Sequence, residues 1–175
     1  MQPGGEQEKA VFLRTIILAC GFAGALGAAQ FPAYSQQYMQ RLGGAVQALE
    51  EVVVDFEKSA AVLGLSRQEA LGQMQGTAFV EARRADMQAT FVRYETLRAD
   101  LAALEGLGPF MRAYHAHHMT DRKLARGAWQ SFEPALPLSL ASLLFALGGF
   151  AVGGLAASVL MRLCGPRRVA GGLPA

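Results

Sequence analysis

Charge is scarce in this sequence: 17% of its 175 residues are Asp, Glu, Lys or Arg, against 52% hydrophobic. The length suits one domain of ordinary size, and for a soluble domain of mixed architecture the composition is too apolar. The deficit is concentrated near the two ends. From Pro134 to Met161 there is no ionisable side chain, and only Ser139, Ser142 and Ser158 interrupt the run with hydroxyls. A helix of about 20 apolar residues spans the ~30 Å hydrocarbon layer of a bilayer. This run exceeds that length and lacks the polar face that a core helix of a small soluble protein shows, so residues 134–161 are expected to form a transmembrane helix.

Cysteine is nearly absent too. The two present, Cys20 and Cys164, lie in or beside the apolar ends, with none in the long segment between. That excludes a disulfide framework and a thiolate metal site, and leaves both as small apolar residues. No glycine-rich phosphate loop, nucleophile elbow or pair of catalytic carboxylates occurs. No period-two alternation of any length appears, so no sheet is expected. The slightly basic balance does not point to nucleic acid, because the excess positive charge sits in the tails and no basic stripe is interleaved with aromatics.

What is present begins with a second apolar run, VFLRTIILACGFAGALGAAQF, at residues 11–31. Its Arg14 lies one turn inside the boundary and can reach the headgroups. A cleaved signal peptide competes with a span here, with Lys9 and Arg14 as the basic region and Gly27-Ala28-Ala29 as the cut site. A lipoprotein cleavage before Cys20 fits poorly, since too few apolar residues precede it. Two spans divide the chain into a tail 1–10, a span 11–31, a central segment 32–133, a span 134–161 and a tail 162–175. Lys9 and Arg14 on one side, and Arg162, Arg167 and Arg168 on the other, place both tails in the cytoplasm. The central segment, balanced in charge, is then expected in the periplasm, although Arg122, Lys123 and Arg126 close to the second span weaken the signal.

In the central segment Tyr38, Leu42, Ala45, Leu49, Val52, Phe56 and Leu63 follow heptad-like spacing, which predicts a long amphipathic helix from Ala33 to Leu63. Gly64 marks its stop, and Ser66 with Glu69 makes a capping box for the next helix. Val80, Met87, Phe91, Tyr94, Leu97, Leu101 and Leu104 repeat the pattern over Thr77–Glu105, ended by Gly106, Gly108 and Pro109. At ~1.5 Å per residue each helix reaches roughly 45 Å, and each stripe needs the other to leave water. The expected fold is all-α: two transmembrane helices flanking a long antiparallel helical hairpin or bundle, coiled-coil-like in its seam.

Few groups suggest chemistry. His115 and His118 share a face at i,i+3, but on an α-helix His117 points elsewhere, and no Cys or well-spaced carboxylate completes a metal site; the nearest acid in sequence is Asp121. A solvated loop or interfacial helix is the expected reading, with no metal and no cofactor. Glu50, Glu51, Asp55 and Glu57 read as the outer face of the stalk. In the spans, Gly149 with Gly153, Gly154 with Ser158, Gly21 with Ala25 and Gly24 with Ala28 form small-residue rows that permit close helix contact. These rows serve either oligomerisation and docking to a larger membrane complex, or packing of the two spans on each other. Arg14, Trp129, Phe132, Arg162, Arg167 and Arg168 are the residues expected at the membrane interface. The piece from Pro109 to Glu133 is expected either to lie along the bilayer surface or to pack on the stalk as a short helix pair.

The stretch RLGGAVQALEEVVVDFEKSAAVLGLSRQEAL from Arg41, together with FEPALPLSLASLLFALGGFAVGG from Phe132, resembles a bacterial family of two-span membrane proteins known as a domain of unknown function, DUF2937. The resemblance runs over most of the chain and its motifs are structural. It implies a bacterial inner-membrane protein with two spans and a helical domain between them, and carries over no active residue, ligand or partner. The expected role is a non-enzymatic accessory or scaffold protein, with the lipid bilayer and a second copy or a larger complex as partners. The alternative is a periplasmic sensor or regulatory subunit that relies on a partner for output.

Overall fold

The structure, a computed structural model, describes residues 4–132 and 139–164. Helices α1 (Gly4–Ala29), α2 (Phe31–Val62), α3 (Arg67–Gln73), α4 (Ala78–Leu104), α5 (Pro109–Tyr114), α6 (Arg122–Gln130) and α7 (Leu140–Cys164) follow in order, with a 3₁₀ turn at Ala116–His118 between α5 and α6. No strand occurs among the described residues, and the fold is all-α, two long apolar helices flanking the helices between them. The chain divides into two compact units, Met1–Pro32 with Pro134–Ala175, and Ala33–Glu133.

In the first unit α1 packs on α7. The helices run antiparallel, since Ile17 meets Gly154, Cys20 meets Gly153, Gly24 meets Gly149, and the Phe31 and Phe145 rings lie 5.3 Å apart. Inside the pair sit Gly21, Ala29, Ser142 and Ala157, while Phe12, Leu18, Phe22 and Leu26 of α1 and Leu140, Leu147, Val152, Leu155 and Leu163 of α7 face outward. Ser139 opens α7 by accepting the Ser142 N–H at 3.1 Å, which satisfies one of the donors a helix start leaves over. The expected second span began at Pro134; residues 134–138, like Arg167 and Arg168, lie outside the described residues. Downstream α7 continues past Met161 to Cys164.

The second unit pairs α2 with α4. Phe56 stands edge-on to Phe91 at 5.3 Å and the Tyr94 hydroxyl donates to Glu50 at 3.3 Å, so residues descending α2 meet residues ascending α4 and the pair is antiparallel. Its core joins Tyr38, Leu42, Val46 and Val53 to Phe91, Tyr94, Leu97 and Leu104, closed by Leu71 of α3 and Ala128 of α6. The seam differs from the heptad expectation at two places: Val52 is 45% exposed and Leu63 70%, whereas Val46, Val53 and Ala60 are buried. An α-helix of 3.6 residues per turn drifts away from a seven-residue repeat. The inward face here slips by one residue after Leu42, to Val46 instead of Ala45, then runs through Leu49, Val53, Phe56 and Ala60, and Leu63 falls on the α2 cap.

The ends of these helices follow local rules. Gly64 takes φ +70°, and its N–H and that of Leu65 donate to Ala61 and Ala60, a Schellman closure that a side chain would strain. The capping box forms, with Glu69 N–H on Ser66 Oγ and Ser66 N–H on the Glu69 carboxylate. Thr77 caps α4 through the Val80 N–H. Beyond the α2 cap, Arg67 ties the tip together. It donates to Glu57 and Glu95 at 2.9 Å each and lays its guanidinium 4.3 Å from the centre of the Phe91 ring.

Candidate functional site

Three features of the sequence can do more than fill space: the small-residue rows of α1 and α7, the histidines after α5, and the outward face of α6.

The rows are where α1 and α7 touch. A Cβ built on Gly24 would strike the Gly149 carbonyl oxygen, one on Gly149 would strike the Gly24 carbonyl and come 2.6 Å from the Ala28 methyl, and one on Gly153 would strike the carbonyl of Cys20. A methyl at Gly21 would lie 2.8 Å from the Phe150 ring. Gly154 has ordinary contact with Ile17, and Ser158 turns its hydroxyl back to the Gly154 carbonyl at 2.7 Å. Thr15 does the same to Val11. Hydroxyls on both helices are thus satisfied within their own helix, and the contact rests on backbone approach. Ala25 is half-buried beside this line, whereas Gly27 and Gly148 face open space. Leu13, Ile17, Ser158, Met161 and Arg162 line one cleft, so Arg14 and Arg162 fall at the same end of the pair.

The histidines do come together, contrary to the α-helical expectation that separated His117 from its neighbours. Helix α5 ends at Tyr114 and residues 116–118 wind as a 3₁₀ turn, whose three-residue period eclipses His115 and His118, and the His117 side chain reaches them from the same turn. The ligand atoms of His115, His117 and His118 all lie within 4.8 Å of one another. The carboxylate that joins them is Asp100 of α4 rather than Asp121: its Oδ1 stands 2.8 Å from His118 Nδ1. Asp121 instead caps α6, accepting from the Lys123 and Leu124 N–H groups, and pairs with Arg93 at 3.0 Å. Burial alone would raise its pKa, but those N–H donors and the Arg93 guanidinium outweigh that and hold it below the ordinary range. Neither the turn nor Asp100 has a signature in the local sequence.

Segment 109–132 packs on α2 and α4, as its second expected placement requires, and the first concerns only the face turned away from them. Ala128 is fully buried, Met119, Leu124 and Ala125 join the core, Arg112 donates to Gln36 at 2.9 Å, and Arg41 crosses the bare face of Gly127 to reach the Ser131 hydroxyl. Its other face is open. Arg122, Lys123, Arg126 and Trp129 are exposed along α6, and Trp129 stacks on Phe132 with Tyr34 edge-on to both.

These features define a class: an all-α protein in which two helices long and apolar enough to cross a membrane flank a unit of packed helices. Within that class the chain belongs to the family described as Protein of unknown function (DUF2937), which matches residues 12–169. No curated protein and no solved structure matches it.

Proposed function

We propose that the chain is an accessory or scaffold protein of the bacterial inner membrane, with α1 and α7 crossing the bilayer, both tails in the cytoplasm and the Ala33–Glu133 unit in the periplasm. The observation that carries the membrane reading is the inversion of the helix pair, which buries glycine and alanine and turns Leu and Phe outward. In water that surface is unfavourable by about 25 cal/mol per Å² of apolar area; in lipid the cost vanishes. Arg14 and Arg162 at one end of the pair, with Arg167 and Arg168 following in sequence, support cytoplasmic tails. The non-enzymatic role is supported by a sequence without a catalytic motif, and its working surfaces are the exposed faces of α2 and α4.

Two measurements test this. A reporter enzyme active only in the periplasm is silent when fused after Ala175 and active when fused near Gly64; the reverse pattern overturns the orientation. A photo-crosslinker at Val92, 65% exposed on α4, captures one constant protein, or a second copy of the chain, in intact membranes. A diffuse set of products overturns the scaffold role.

A further inference from the structure

We propose that His115, His117 and His118 bind one divalent transition-metal cation of the zinc type, with Asp100 as the residue that positions His118. Three imidazoles with a fourth place open to water is a common zinc arrangement, and neutral imidazole suits this class of metal better than magnesium or calcium. Nitrogens bound to a tetrahedral zinc at about 2.0 Å lie about 3.3 Å apart. The ligand atoms here all lie within 4.8 Å of one another, so side-chain rotation alone can close them on one cation. Ring centres 5.8, 6.3 and 4.2 Å apart make the three imidazoles one cluster.

Independent support comes from Asp100. Histidines that bind metals commonly donate their second ring N–H to a carboxylate, which fixes the tautomer and makes the other nitrogen a better ligand. His118 has that partner on Nδ1, which leaves Nε2 to carry the lone pair. The carboxylate comes from the core helix α4, and its side chain is only 19% exposed, so it is a fixed support. His117 is exposed, which gives the cation a way in from solvent and a water for the fourth place.

The test uses the full chain in detergent, purified through a tag without histidine and stripped with chelator. Zinc titrated by calorimetry is expected to bind at one equivalent, and cobalt(II) to give the visible absorption of a tetrahedral site. His117→Ala, an exposed change that leaves the fold intact, weakens zinc binding at least 10-fold. Asp100→Asn weakens it about 10- to 100-fold and shifts the cobalt spectrum, which a purely structural tie between Asp100 and His118 would not do. Failure of the wild-type chain to bind saturably at one equivalent overturns the site, as does unchanged affinity in His117→Ala. An unchanged affinity and cobalt spectrum in Asp100→Asn overturns the positioning role.

Discussion

Gly24 and Gly149 meet backbone to backbone: a Cβ on either would strike the carbonyl oxygen of the other. The contact therefore discriminates between adjacent glycines. Gly149→Leu forces α7 away from α1 and is expected to cost at least about 1–3 kcal/mol, the usual range for overpacking. Gly148→Leu, one position earlier and facing open space, is expected to be neutral. Thermal unfolding of both variants in detergent checks this, and equal loss in the two would contradict the packing.

Asp121 makes the second unit sensitive to acid. Its carboxyl sits below the ordinary range in the fold, while in the unfolded chain it titrates near about 3.9. A depressed pKa contributes stability above the unfolded value and loses it as pH falls through the folded one. Asp121→Asn keeps an N-cap acceptor but loses the charge facing Arg93, so it is expected to be less stable than wild type at neutral pH by about 1 kcal/mol. That gap should close as the pH is lowered below 4, followed by circular dichroism. A gap independent of pH would contradict the assignment.

Tyr38 acts at the other end of the scale. It is fully buried, its hydroxyl lacks a hydrogen bond of good geometry, and burial pushes its pKa up to about 12. The unfolded phenol titrates near about 10, so the fold favours the neutral form. That stability is complete below the unfolded value and is lost as pH rises towards the folded one. Tyr38→Phe removes a poorly satisfied hydroxyl and is expected to leave Tm unchanged or slightly raised at pH 7, and to remove part of the alkaline loss. A fall of several degrees at pH 7 would show that the hydroxyl is well bonded.

Trp129 reports on the proposed membrane. The ring is 69% exposed beside Arg122 and Arg126 on the open face of α6, and it is the single tryptophan, so its fluorescence is unambiguous. Lipid-borne quenchers at headgroup depth are expected to quench it, in keeping with aromatic and basic side chains at a bilayer surface. Absence of quenching at every depth would mean that α6 stands clear of the lipid.

Much of the architecture was legible because it depends on local chemistry. Gly64, Ser66 with Glu69, and Gly106 mark helix ends through backbone conformation and nearby hydrogen bonds, which neighbouring residues decide. The stripe from Phe91 to Leu104 was legible as well. Val52 and Val53 were not separable, because three consecutive valines satisfy either phase of the repeat and only packing against α4 selects one. The histidine cluster was half visible: His115 and His118 stood out, but His117 enters through a 3₁₀ turn and Asp100 through a contact between elements. Arg41 reaching Ser131 across Gly127 is of the same kind, a meeting of distant residues that periodicity does not encode.

The pairing of α1 with α7 also sets a timetable. The whole central unit separates the two helices in sequence, and at about 5–20 residues per second the ribosome needs on the order of ten seconds to make it. During that interval α1 waits in the proposed membrane with the face of Gly21 and Gly24 turned to lipid. The hydroxyl of Thr15 already bonded within the helix and an outer surface of leucine and phenylalanine suit α1 to persist alone in lipid, so on the proposed topology the nascent protein is anchored before the unit it carries is complete.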